Sequence, residues 1–230
     1  MLATFRGLPM TPITGCIGKH RLAFYQHRSN GTEKGKFMKI KKARRHFSSS
    51  FKEWFGNSKV VCSKGRPKTA YHGLDGDDFA SFKPGTSGLF GGGIYFATCP
   101  DVAEIYTKSG DSDGARIIPV YLALQNPLKT VANYDDGDPY DFDSPAIDLI
   151  KKLFPNKVKA IISKSLDTYI HGELGLEISD AAQAMGYDGI EIHWPGRKRR
   201  VDYLVFDPSK VKSAVSNNGR FDVGNPDICA

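Results

Sequence analysis

Three consecutive glycines, Gly91-Gly92-Gly93, run directly into Ile94-Tyr95-Phe96-Ala97. This stretch constrains the fold more than any other. Glycine lets backbone approach a neighbour closely and take torsions other residues avoid. The apolar run behind it reads as a strand, predicted over residues 89–97, and an aromatic just past the turn can lie flat against a planar ring. Tyr106 follows eleven positions later on a predicted helix, with Asp101 as its N-cap and Val102, Ile105 and Tyr106 on one face. Upstream, residues 68–72 read as a strand ending in His72 and Gly73. Near the C-terminus, residues 201–206 read as a strand with Asp202 near its start. A histidine, a tyrosine and an acid each fall on a separate predicted strand.

The other elements are short. Ser48-Ser49-Ser50 caps a helix carrying Phe51, Trp54 and Phe55 on one side, and Gly56-Asn57 ends it. Val60 and Val61 predict a short strand. Residues 74–88 read as a loop, and one this long is usually functional or mobile. Residues 115–124 read as a strand in which Pro119 predicts an edge position or a bulge. Residues 133–144 are acidic and turn-rich, the pattern of a surface loop. Helices are predicted over 145–153, 157–170 and 177–185, the last closed by Gly186, followed by a strand over 187–192. Residues 209–214 read as a helical turn and 216–230 as a polar tail. Short strands with interspersed helices and no strict βαβ alternation predict an α+β fold.

Charge divides the chain. Residues 1–50 hold eleven lysines and arginines against one acid, Glu33, a net +10; residues 51–230 hold 21 against 24, a net −3. The reading is a basic N-terminal segment, 1–50, and a folded domain, 51–230. The basic run from Lys34 to Arg45 suits phosphate contact, with Phe37 and Phe47 available to stack on bases. A solvated tail or an arm for an acidic partner fits the same composition. The basic turn from Arg197 to Arg200 is open in the same way. No apolar run approaches membrane-spanning length, and no secretory leader pattern is visible. Four scattered cysteines without zinc spacing predict reduced thiols in a cytosolic protein.

Suppose that the ligand has a flat cationic ring on a ribose. Tyr95 and Tyr106 can sandwich a flat cationic ring. Gly73 can offer backbone groups to a ring amide, and His72 can bond a ribose hydroxyl. Asp202 can hold another hydroxyl and stabilise positive charge developing at the anomeric carbon. Together these residues suit cleavage of the nicotinamide–ribose bond of NAD. Each has a plainer reading: a hydrogen-bonded structural histidine, core tyrosines, an acid balancing the basic turn at Arg197–Arg200. Glu191 and Glu173 are the reserve acids, and His193-Trp194 reads as packing.

Tyr71-His72-Gly73, Gly92-Gly93-Ile94-Tyr95-Phe96-Ala97, Tyr106, and Asp202-Tyr203-Leu204-Val205-Phe206-Asp207 resemble the His–Tyr–Glu class of ADP-ribosyltransferases, the group of diphtheria toxin and the poly-ADP-ribose polymerases. The resemblance is closer to the phage- and mobile-element-borne members in polyvalent proteins. It extends to an opening block at residues 51–61, a closing block at 206–213 and a tail at 217–222. It implies a split β-sandwich of two small sheets with flanking helices and an NAD cleft between them. His72 would bind a ribose hydroxyl, Gly73 would clamp the carboxamide, and Tyr95 and Tyr106 would stack on nicotinamide, with Gly93 beside them. The acid falls on Asp202, where the family usually has glutamate. Ala103 stands where the polymerase branch has serine. Both departures favour single transfer over polymer formation.

The expected protein is thus a mono-ADP-ribosyltransferase that passes ADP-ribose from NAD to a protein or nucleic acid. As a toxin, effector or phage-conflict protein it would act in a host cytoplasm, with an antitoxin or inhibitor as partner. The rival readings are a weakly catalytic module binding NAD, ADP-ribose or nucleic acid, an NAD glycohydrolase, and a transferase removing phosphate from RNA ends.

Overall fold

The computed structural model describes residues 47–75, 79–107, 115–133, 146–166, 172–196 and 200–230, with the side chains of 163–166 and 172–173 left out. Residues 1–46 of the basic segment 1–50, residues 134–144 of the acidic loop 133–144 and residues 197–199 of the basic turn lie outside these residues.

Helix α1 (Ser49–Phe55) starts where expected: the Ser48 hydroxyl accepts the Phe51 N–H at 3.1 Å. Strands β1 (Ala70–Leu74) and β2 (Ile94–Ala97) follow, then helix α2 (Pro100–Glu104), which tightens into a 3-10 turn at Ile105–Thr107. Its N-cap is Cys99 rather than Asp101, because Pro100 takes the first helical position and leaves Asp101 inside the first turn. Strands β3 (Arg116–Leu122) and β4 (Pro127–Val131) precede helices α3 (Ile147–Leu153), α4 (Val158–Leu166) and α5 (Gly172–Ala184). Strands β5 (Gly189–His193), β6 (Val201–Val205) and β7 (Val211–Ser213) complete the domain.

The seven strands form one mixed sheet in the order β4-β5-β6-β2-β1-β3-β7. The class is α+β, as expected, but the strands form one sheet where two were expected. They are joined at the middle by a single pair, Tyr71 with Ala97, whereas β1 pairs with β3 over five residues and β2 with β6 over four. The sheet is therefore a fork, closed at Tyr71 and open beyond it. One core packs α3, α4 and α5 against the face carrying Ile190, Ile192 and Leu204. A second core lies on the opposite face, around Phe82, Phe96, Val120 and Tyr203.

Four local expectations change for tertiary reasons. Val60 and Val61 make one bridge, Val61 with Pro67, and no strand. Pro119 sits in an interior strand and not at an edge. Its carbonyl accepts the Ala214 N–H at 2.9 Å, one residue past the end of β7, so its missing N–H faces a place where the neighbouring strand has stopped. Residues 211–213 form β7 and not a helical turn, since pairing with β3 outweighs local propensity. The polar tail is packed: Ile228, Cys229 and Ala230 are buried. The fully buried Lys212 donates to the carbonyls of Asn225 and Asp227 at 2.9 and 2.7 Å, and Ser213 N–H donates to the Ile228 carbonyl at 2.8 Å. The tail thereby covers the free edge of β7. At the other edge, Asp148 accepts the Val131 N–H at 3.0 Å while Lys152 donates to the Lys129 carbonyl at 2.8 Å. Both edges of the sheet thus carry hydrogen-bond partners from elsewhere in the chain. Cys62 and Cys99 are free, but Cys229 is disulfide-bonded, contrary to the expectation of four thiols; the cysteine spacing carried no pairing signal.

Candidate active site

A cavity of about 580 Å³ opens at the fork between β1 and β2. That is the size range of small-molecule sites. Its wall includes His72, Gly73, Gly93, Tyr95, Tyr106 and Asp202, all the residues singled out from the sequence for the site.

They reach it from different faces. Pairing of Ala97 with Asp202 and of Tyr95 with Leu204 puts Tyr95 and Asp202 on one side of the sheet. The pleat of β1 puts His72 on the other side, against Phe82 and Phe96 at ring-centroid distances of 4.9 and 5.5 Å. In a continuous sheet these groups would be separated by backbone. The fork removes that barrier.

His72 Nδ1 lies 2.7 Å from the Tyr95 carbonyl oxygen, which can only accept, so Nδ1 carries the proton. Burial holds His72 below its usual pKa, although the bond to Tyr95 works in the opposite direction. The imidazole is therefore neutral near pH 7, and Nε2 is left as an acceptor suited to a hydroxyl.

Tyr95 is fixed by its own loop. Its hydroxyl donates to the Gly91 carbonyl at 2.8 Å and accepts the Phe90 N–H at 3.0 Å. Burial, the bond from Phe90 and the nearby Tyr106 phenol set its acidity, with burial pushing the pKa far above the usual tyrosine range. Tyr106 is 59% exposed and stands at the rim.

The glycines have packing reasons beyond those read in the sequence. A Cβ on Gly73 would come within 1.8 Å of the Ala103 carbonyl oxygen, so glycine here lets α2 lie directly on β1. Gly93 adopts φ +143°, exchanges N–H···O=C bonds with Gly85 at 2.8 and 3.0 Å, and leaves no room beside Leu204 for a side chain. Gly92 N–H bonds the Gly175 carbonyl at 2.9 Å, and the Ser179 hydroxyl donates to the Gly92 carbonyl at 2.6 Å. Helix α5 thus anchors the glycine turn that carries Tyr95.

Asp202 is buried on β6, where its carboxylate receives the Arg200 guanidinium: Nε lies 3.2 and 2.9 Å from its two oxygens and Nη2 lies 2.5 Å from one of them. The guanidinium carbon stands 4.3 Å from the centre of the Trp194 ring. Arg200 therefore faces inward and pairs with Asp202, the charge balance that was one of several roles the sequence leaves open for this basic turn. Trp194 and Arg200 both line the cavity. Trp194 packs as expected, edge-on to Phe90 at 5.9 Å, and its contact with Arg200 adds to that role. The only available signal of that contact was an aromatic opening a Pro-Gly turn just before the basic run.

Of the two reserve acids, Glu191 is absent from the cavity wall. Glu191 lies on the opposite face of β5, 2.7 Å from His193 Nε2. Glu173 lies on α5, its side chain outside the described residues. Among the described residues no group of three or more His, Cys, Asp or Glu is placed to hold a metal, and no helix is long and apolar enough to cross a membrane.

The family model for ADP-ribosyltransferase in polyvalent proteins matches residues 63–221. The chain belongs to that family, and its class of activity is ADP-ribosyl transfer. No curated protein matches it. Among solved structures it is similar to one described as the crystal structure of an anti-CRISPR protein, at 17% identity and TM-score 0.30, covering 60% of this chain and 88% of that one.

Proposed function

We propose that this protein is a mono-ADP-ribosyltransferase using NAD as donor and a macromolecule as acceptor. One observation carries the proposal: in a chain of this family, His72, Tyr95, Tyr106 and Asp202 line a single cavity although they come from two faces of the sheet.

The residues fit the donor by chemistry. Tyr95 and Tyr106 supply aromatic surface for the nicotinamide ring, and the backbone edge at Gly73 supplies amide groups for its carboxamide. His72 Nε2 accepts a ribose hydroxyl. Asp202 accepts the other hydroxyl and favours positive charge developing on the ribose. The bond between ribose C1′ and the nicotinamide nitrogen breaks, and its electron pair leaves with neutral nicotinamide. C1′ then bonds to the acceptor nucleophile, which gives up its proton.

The acceptor is a protein or a nucleic acid, and the basic run Lys34–Arg45 supports the second. In this reading the protein acts as a toxin, effector or phage-conflict factor in a host cytoplasm, with an antitoxin or inhibitor as natural partner. A second reading, a module that binds NAD or ADP-ribose without turnover, draws support from the engagement of Asp202 by Arg200. Water as acceptor would make the protein an NAD glycohydrolase.

The test is mass spectrometry of protein and nucleic-acid fractions of a lysate after incubation with purified protein and NAD. Addition of one ADP-ribose in either fraction, lost in Asp202→Ala, supports the transferase. Free nicotinamide without adduct supports the hydrolase. Neither signal, with NAD still raising the melting temperature, supports the binding module.

A further inference from the structure

Aspartate is one methylene shorter than glutamate, and its carboxylate turns through a broad torsional well, so alone it presents its oxygens loosely. Here it is not alone. Arg200 reaches it from two residues earlier on the same chain, with Nε touching both oxygens and Nη2 touching one. Trp194 lies beneath the guanidinium at 4.3 Å. The side chains of Arg200 and Asp202 are 15% and 9% exposed, so both are held in protein and not in solvent. All three residues border the same cavity.

We infer that Arg200 is a positioning residue for the transfer reaction: its guanidinium fork fixes the plane of the Asp202 carboxylate at the cavity wall, and Trp194 fixes the fork. This rests on the ADP-ribosyl transfer reading. A carboxylate offers about four acceptor sites. The three contacts from Arg200 leave capacity for a ribose hydroxyl. Held in this plane, Asp202 keeps its remaining acceptor capacity in one direction, toward the hydroxyl and thereby the ribose. A lysine cannot replace the fork, because an ammonium is a point charge that neither bonds in a plane nor stacks on an indole in the same way.

The test is steady-state nicotinamide release from NAD by the full chain and its Arg200→Ala and Arg200→Lys variants. The expected result is a fall in kcat of about 100-fold for Arg200→Ala, the scale of a misplaced reacting group, with KM for NAD changed less than about threefold. Arg200→Lys recovers no more than about a tenth of the wild-type rate. Added guanidinium ion, below denaturing concentration, restores part of the rate of Arg200→Ala and none of Asp202→Ala. A purely structural role would lower the melting temperature without rescue. If Arg200→Ala does not fold, Arg200→Lys carries the comparison. The inference is overturned by an unchanged or raised kcat, by a rise in KM alone (which would make Arg200 a ligand of the substrate), or by absence of rescue. A wild-type protein that releases no nicotinamide overturns the transferase and hydrolase readings and this inference with them. An active wild type with an equally active Arg200→Ala overturns the inference alone.

Discussion

His72 Nδ1 donates to the backbone carbonyl of Tyr95 across 2.7 Å, a bond that spans the fork between β1 and β2. One hydrogen bond thereby ties the two strands across the opening and fixes the tautomer of the histidine and the direction of its other nitrogen. It also makes the fork sensitive to pH.

The sign follows from burial. Desolvation lowers the pKa of His72 in the fold, partly offset by the bond to Tyr95. Below the unfolded value of about 6.5 the unfolded chain binds a proton that the folded chain resists. The stability contribution of neutral His72 is therefore full above about pH 6.5 and is lost as pH falls through the window beneath it. Melting temperatures measured from pH 8 to pH 5 are expected to drop over that lower range, and His72→Gln to drop less. Equal slopes for the two proteins would show that His72 is not the group responsible.

Tyr95→Phe keeps the ring and removes the staple. The Phe90 N–H and the Gly91 carbonyl lose their partner in a half-buried loop, a cost of about 1–3 kcal/mol. Urea unfolding reads that cost. Hydrogen exchange at residues 88–92 should rise relative to β3, whereas a uniform change would mean that the hydroxyl does not act on the loop.

Gly73→Ala distinguishes packing from ligand access. The new methyl meets the Ala103 carbonyl, so α2 must move off β1. Overpacking of this kind costs about 1–3 kcal/mol. The 3-10 turn bearing Tyr106 continues from α2, so NAD should protect this variant against melting less than it protects the wild type. A variant as stable as wild type would mean that α2 adapts freely.

The strands bearing His72, Tyr95 and Asp202 were legible because their signals are local: alternation, a glycine run, an apolar stretch closed by Asp-Pro. The number of sheets was not. A fork and two separate sheets differ by one pair, Tyr71 with Ala97, which leaves no trace in the pattern of either strand. Strand β7 is three residues long and depends on β3, far away in sequence, so its local reading as a turn gave way. The contact of Trp194 with Arg200 crosses the 194–200 turn, and no periodicity spans such a turn. Glu191 is as good a candidate acid as Asp202 from sequence alone; the register of β5 with β6 turns it to the other face.

The opening block at 51–61 packs against the closing block at 206–213 and the tail at 217–222. Phe51 meets Phe221 edge-on at 4.9 Å, and Trp54 Nε1 donates to the Ser209 carbonyl at 2.9 Å, just before β7. Phe221 takes φ +50°, uncommon for a bulky residue, so the aromatic cluster holds strained backbone. Trp54→Ala should therefore cost about 3–5 kcal/mol through the cavity it leaves. Trp54→Phe, which loses chiefly the bond to Ser209, should cost about 1 kcal/mol. The cluster lies against β3 and β7, away from the fork. Well below the melting temperature, nicotinamide release by Trp54→Phe should match wild type while its denaturation midpoint falls. A loss of activity at full folding would instead couple this cluster to the cavity.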